Sequence, residues 1–196
     1  NHVLPLFVTP VVNYLWPDCQ QLNEKLRQQI LELEQSDPGL NKSNVGGWHS
    51  QLEFLGQDSA PVNELRERLS QFSAQLIEEF SRANSEIKFR LEGWANILRH
   101  GQYNSVHAHP NATWSGVYYV TGNEEVEQHP FSGKLELLDP RPRTNLNYAD
   151  VSNLYGRFLV NPNAGQMIIF PSWMQHQVHP YFGSGERISI AFNVML

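Results

Sequence analysis

His107-Ala108-His109, taken with His176 far downstream, is the stretch on which the reading of this chain turns. Side chains two apart on a strand point to the same face. An extended conformation here therefore throws both imidazoles to one side. A third imidazole from a distant strand, His176, completes three nitrogen donors around one point, which is a metal site in outline. The rest of the chain reads as the vessel built around it.

The second decisive stretch is Gly165 to Asn193. Gln166-Met-Ile-Ile-Phe-Pro171 reads as a buried strand ending at proline, Ser172 to Gln175 as a turn, and Tyr181 to Glu186 as a hairpin loop. Arg187 to Asn193 then alternates strictly. Ile188, Ile190 and Phe192 share one face, and Arg187, Ser189, Ala191 and Asn193 share the other. An arginine on the inner face of a small barrel needs an anionic partner, from the protein or from a ligand. Arg187 with Ser189 makes a fork of guanidinium donors plus a hydroxyl, suited to a carboxylate. The competing reading is an ion pair with Glu186 or Glu136.

Working outward, 196 residues fit a single domain, 1–196, with a helical support region and edge strands over 1–86 and a strand-rich core carrying the metal site over 87–196. The charged fraction of 17% and hydrophobic fraction of 40% are those of a folded protein rather than a disordered one. Fourteen basic against 20 acidic residues, with no basic block, argue against a nucleic-acid partner. The one cysteine, Cys19, excludes an internal disulfide and a cysteine-rich zinc site, and suits a reducing cytoplasm. No apolar run approaches the ~20 residues of a membrane span.

Along the chain, Leu4 to Val12 reads as an extended segment at a sheet edge because of Pro5 and Pro10. A helix starts at Pro17-Asp18 and runs to about Gln35, with Leu22, Leu26, Ile30 and Leu33 at helical spacing, and a second covers Val62 to Ala83. Lys88–Leu98, Trp114–Thr121, Gly133–Leu138, Phe158–Val160, Gln166–Phe170 and Arg187–Val194 read as strands of a sandwich or barrel, with the helices on one outer face. Asn41 to Gln51 is either a turn anchored by Trp48 in the core or a loop overhanging a pocket.

His-x-His at 107–109, Val117-Tyr-Tyr-Val120, Phe170-Pro171, His176-x-Val-x-Pro180 and Arg187-x-Ser189 together resemble the 2-oxoglutarate- and Fe(II)-dependent oxygenases, more narrowly a small group of them from bacteria and phages. Leu6-Phe7 with Pro10, Ser43-Asn44 with Gly47-Trp48-His49-Ser50, and Leu138-Asp-Pro-Arg141 resemble that group too. The resemblance is dense over 103–196 and thin before it. It implies a mainly β protein with N-terminal helices: a double-stranded β-helix, or cupin-like jelly roll, with Fe(II) between its sheets. In the family the iron is held by two histidines and a carboxylate. By position, His107 matches the first ligand and His176 the distal one. His109 stands where the family has its carboxylate, a departure that implies a three-histidine site, as in thiol dioxygenases, one negative charge short. Glu136 and Asp139 are the alternative carboxylates, Asp139-Pro140 reading more simply as a turn, and His179 is the rival of His176. Tyr119 matches a position that binds the distal carboxylate of 2-oxoglutarate beside Arg187, with Ser189 helping.

The function so implied is a dioxygenase that converts 2-oxoglutarate to succinate and CO2 while hydroxylating a substrate. A three-histidine iron dioxygenase needing no keto acid, and a non-catalytic metal-binding jelly-roll module, are the rivals. The substrate, a small molecule or a peptide, is not legible. Asn104, Trp114 and Trp48 are the candidate substrate contacts, along with the loops 41–51 and 141–157, the latter holding Arg141, Arg143, Asn145, Asn147 and Tyr148. Nothing marks a membrane partner, and a homo-oligomer stays open.

Overall fold

The computed structural model describes residues 6–80, 87–142, 144 and 156–196. Among the described residues, eleven strands lie in two antiparallel sheets. The major sheet has the order β1 (Val12–Leu15), β9 (Gln166–Pro171), β6 (Trp114–Tyr119), β11 (Arg187–Met195), β4 (Arg90–Leu98), β3 (Trp48–His49). The minor sheet has the order β2 (Asn44–Val45), β5 (Tyr103–His107), β10 (His176–Val178), β7 (Leu135–Leu138), β8 (Arg157–Val160). The strands of each sheet are far apart in sequence, as a jelly roll requires.

Two helices, α1 (Gln20–Ser36) and α2 (Ala60–Phe80), cover the outer face of the major sheet. They are amphipathic. Leu22, Leu26 and Ile30 of α1, with Val62, Leu65, Leu69, Leu76 and Ile77 of α2, join Ile188, Ile190, Phe192 and Val194 of β11 in one apolar cluster. The Tyr118 hydroxyl crosses this cluster and donates to Asn23 Oδ1 on α1, so the buried tyrosine is satisfied. Where α1 ends, Gly39 takes φ +75°, and a Cβ there would lie 2.6 Å from the His49 carbonyl oxygen, so the turn needs glycine. Among the described residues no helix is long and apolar enough to cross a membrane.

The inner face of the major sheet is laid out in rungs by strand register. Arg187 lies opposite Leu98; Ser189 sits between Asn96 and Tyr119; Ala191 between Trp94 and Val117; Asn193 between Glu92 and Ser115. The alternation expected for Arg187–Asn193 is therefore the alternation observed, with the isoleucines and Phe192 turned to the helices.

Three local expectations shift. The edge strand lies at Val12–Leu15 rather than Leu4–Val12, because Pro10 offers no N–H to the ladder with β9; residues before Leu6 lie outside the described part. The helix expected over Val62–Ala83 begins at Ala60, and its last three positions also lie outside. The segment 41–51 is neither a plain turn nor a free loop: β2 joins the minor sheet at β5 and β3 the major sheet at β4, so the hairpin straps the two sheets together.

Candidate metal centre

Three elements deliver the three imidazoles. His107 ends β5, His176 opens β10, and these two residues are register partners in the minor sheet. His109 lies two residues beyond β5, where its backbone N–H donates to the Ser172 carbonyl at 3.0 Å. One ligand nitrogen from each of the three falls within 4.8 Å of the others. The ring centroids are 4.2 Å apart for His107 and His176 and 5.1 Å for each of the other two pairs.

Hydrogen bonding fixes which nitrogens face inward. His107 Nδ1 lies 2.7 Å from the Ser105 carbonyl and His176 Nδ1 2.9 Å from the Met174 carbonyl. A carbonyl oxygen only accepts, so both Nδ1 atoms carry the proton and both Nε2 atoms present lone pairs. His109 Nε2 sits 3.3 Å from His176 Nε2. Burial lowers the pKa of His107; burial and then the charge on His107 bring His109 down to about 4 and His176 down to about 3. At neutral pH the cluster is therefore uncharged, with lone pairs converging at close range. That donor set fits a divalent transition metal.

No carboxylate joins it among the described residues. Glu136, buried on β7, is held by other groups: Gln177 Nε2 donates to it at 2.7 Å, His179 Nε2 contacts it at 2.8 Å and Arg157 stands 3.7 Å away. Asp139 is held by Arg141 in a turn. His179 is thus occupied elsewhere.

Across the cavity lies Arg187, 1% exposed. Its Nε donates to the Gly133 carbonyl at 2.9 Å, which leaves both terminal nitrogens uncommitted. Among the described residues it has no ion pair, because Glu186 is taken by Arg27 at 2.9 Å and Glu136 by the groups just named. Its guanidinium carbon is 5.2 Å from the ring centre of Tyr119. The Tyr119 hydroxyl is buried and pushed up to about 12 mainly by that burial; the Arg187 guanidinium facing it works against the rise, although the two make no hydrogen bond of ordinary geometry. Ser189 sits between Tyr119 and Asn96, whose buried Oδ1 is likewise unpartnered. A buried cation without a counter-ion, beside a buried tyrosine hydroxyl, offers the donors that a bound carboxylate would accept; Asn96 Oδ1, itself an acceptor, would need a donor instead.

Arg187, Ser189 and Tyr119 share with the three histidines one cavity, part of it open to solvent. Val117, Leu135, Phe170, Val178 and Ala191 make its apolar wall. Of the candidate substrate contacts, Asn104 lines this cavity. Trp114 and Trp48 do not. Trp114 alternates onto the helix side and packs on Phe80 at 5.5 Å, and Trp48 packs against the helix-side cluster with its Nε1 donating to the Asp37 carbonyl. Arg143, Asn145, Asn147 and Tyr148 lie outside the described residues, as does most of the loop 141–157. Ser43, Trp94 and Asn96 line the cavity without having been singled out as contacts. Trp94 stacks on His49 at 5.5 Å and tilts on His109 at 5.5 Å. Alternation along β4 was the available signal for Trp94 and Asn96, and the Ser43-Asn44 pair for Ser43.

Residues 92–193, just over half of the chain, match the family model described as "Putative 2OG-Fe(II) oxygenase". No curated protein matches the chain in sequence. Among solved structures, a Pseudomonas putida prolyl-4-hydroxylase superposes with TM-score 0.69 at 16% identity over 97% of this chain and 94% of its own. A Trichoplax adhaerens prolyl hydroxylase, solved with a hypoxia inducible factor peptide, gives 0.64 at 15% over 95% and 83%. HygX from Streptomyces hygroscopicus, solved with nickel, 2-oxoglutarate and hygromycin B, gives 0.62 at 14% over 95% and 83%. At these identities the likeness is one of fold.

Proposed function

The chain belongs to the 2-oxoglutarate- and Fe(II)-dependent oxygenase family, and from that premise we propose that it is a hydroxylase acting through His107, His109, His176, Arg187, Ser189 and Tyr119. The observation that carries the reading is Arg187, fully buried, without a counter-ion among the described residues, in one cavity with three neutral imidazoles. The three histidines hold the iron. Arg187 offers its two terminal nitrogens, and Ser189 and Tyr119 their hydroxyls, to the distal carboxylate of 2-oxoglutarate. Bound iron supplies the redox chemistry by which oxygen is consumed, 2-oxoglutarate leaves as succinate and CO2, and a substrate C–H is hydroxylated.

The protein's own part is positional and electrostatic. The Gly133 carbonyl fixes the guanidinium at Nε, so its fork faces the cavity. The Ser105 and Met174 carbonyls fix the two imidazole tautomers. Val117, Leu135, Phe170, Val178 and Ala191 set an apolar wall beside both groups. Apart from Arg187 and the histidines, the polar lining is uncharged, namely Ser43, Asn96, Asn104, Tyr119, Ser189 and Trp94. This favours a substrate whose reacting part is uncharged, on a peptide or a small molecule.

A second reading is favoured by one observation, the absence of a carboxylate in the three-histidine group among the described residues. Such a site serves an iron dioxygenase that uses no keto acid. Oxygen uptake by the Fe(II)-loaded protein separates the two. Uptake that needs 2-oxoglutarate and yields succinate supports the hydroxylase; equal uptake without the keto acid refutes it.

A further inference from the structure

The strap between the sheets carries a hydroxyl into the metal site. Ser43, directly before β2, places Oγ 3.4 Å from His107 Nε2. Because His107 Nδ1 must donate to the Ser105 carbonyl, Nε2 has only a lone pair to offer, and Ser43 must be the donor. Ser43 Oγ in turn accepts from Asn104 Nδ2 at 3.3 Å. The chain of donors therefore runs one way, Asn104 to Ser43 to His107. It ends on the lone pair that a metal would take.

The hydroxyl has little room to leave. The Ser105 backbone N–H and Oγ both donate to the Ser43 carbonyl, at 2.9 and 3.1 Å. Asn44 Nδ2 ties the strap to the Leu40 and Gly47 carbonyls at 3.1 and 2.6 Å. A Cβ on Gly47 would lie 2.4 Å from Leu98 Cδ2, so the hairpin is pressed onto β4. A metal on Nε2 strips Ser43 of its acceptor but leaves its position and its incoming bond from Asn104.

We propose that Ser43 is a positioning residue with two successive acceptors: the His107 Nε2 lone pair, and then, when a metal displaces it, the iron-side carboxylate of 2-oxoglutarate. In a site whose three ligands are neutral, a fixed hydroxyl donor gives that carboxylate a preferred seat beside His107. The second step rests on the function proposed above; the first does not.

The two steps have opposite signs, which separates them from mere support of the strap. Co(II) is the probe, followed through its visible absorption, with 2-oxoglutarate then titrated into the Co(II)-loaded protein. Ser43→Ala is expected to bind Co(II) about threefold to tenfold more tightly, having lost a competitor, and 2-oxoglutarate about threefold to tenfold more weakly. Ser43→Thr, which keeps a hydroxyl, restores both constants toward wild type. Both affinities falling together, or neither moving, overturns the proposal. A wild-type Co(II) protein that ignores 2-oxoglutarate overturns the proposed function instead, and the Co(II) affinities alone then decide whether Ser43 competes for His107.

Discussion

Arg187 and Tyr119 show at the scale of single residues how a binding site costs stability until it is filled. Burying a charge with no counter-ion, and a hydroxyl with no partner, is unfavourable for the chain alone. A dianionic ligand reverses both terms. Tyr119→Phe removes the unpartnered group, so the ligand-free variant should melt at or above the wild-type temperature. The same variant should bind 2-oxoglutarate about fivefold to tenfold more weakly, because the ligand loses a donor. Thermal melting and calorimetry read the two effects; a destabilised variant with unchanged 2-oxoglutarate affinity contradicts the assignment. Arg187 and Ser189 were legible in sequence, since strict alternation in a strand states which side chains share a face. His109 was legible as a third imidazole though it lies past the end of its strand, where its backbone bond to Ser172 rather than β geometry sets its place. Ser43 was not legible as a site residue. The Ser43-Asn44 pair marks the segment, but the hairpin's pairing to two different sheets, which brings Ser43 to His107, depends on long-range register.

At the scale of elements, β11 is the spine of the molecule, joined to β4 along nine residue pairs and to β6 along six. Its two faces serve different ends. The face with Phe192 is the core under the helices, and the face with Arg187 is the cavity. Close packing on the first face holds the second in register. Gly116 on β6 marks how close that packing is: an added Cβ would lie 2.4 Å from Phe192 Cζ and 2.9 Å from the Ile168 carbonyl oxygen. Gly116→Ala should therefore cost about 1–3 kcal/mol. In a chain of this size that lowers the melting temperature by about 2–4 °C per kcal/mol. An unchanged melting temperature would show that the sheet and helix layer yields more easily than the contacts imply. Helix existence followed from periodicity, as did the longer strands. The strands β2, β3 and β10, of two or three residues, are too short to show a period, and the parity of Trp114 on β6 turns it to the helix side, away from the substrate contact expected of it.

For the whole molecule, the metal centre links the end of β5, the turn after it and the start of β10. A metal that binds only the folded chain stabilises it by mass action, about 2.7 kcal/mol at a hundredfold excess over the dissociation constant. Saturating Zn(II) or Co(II) should raise the melting temperature by about 5–10 °C. Chelator should reverse the shift and His176→Ala should abolish it. An equal shift in the His176→Ala protein would place the binding metal elsewhere on the surface.

The central claim is that metal and keto acid occupy one cavity together, the first on the histidines and the second between them and Arg187. Calorimetric titration of 2-oxoglutarate into the Zn(II)-loaded protein, the chelated protein and Zn(II)-loaded Arg187→Met tests it most directly. Saturable one-to-one binding is expected in the first, with affinity lost by roughly 100-fold or more in each of the other two. Binding that ignores either the metal or the loss of Arg187 would contradict it.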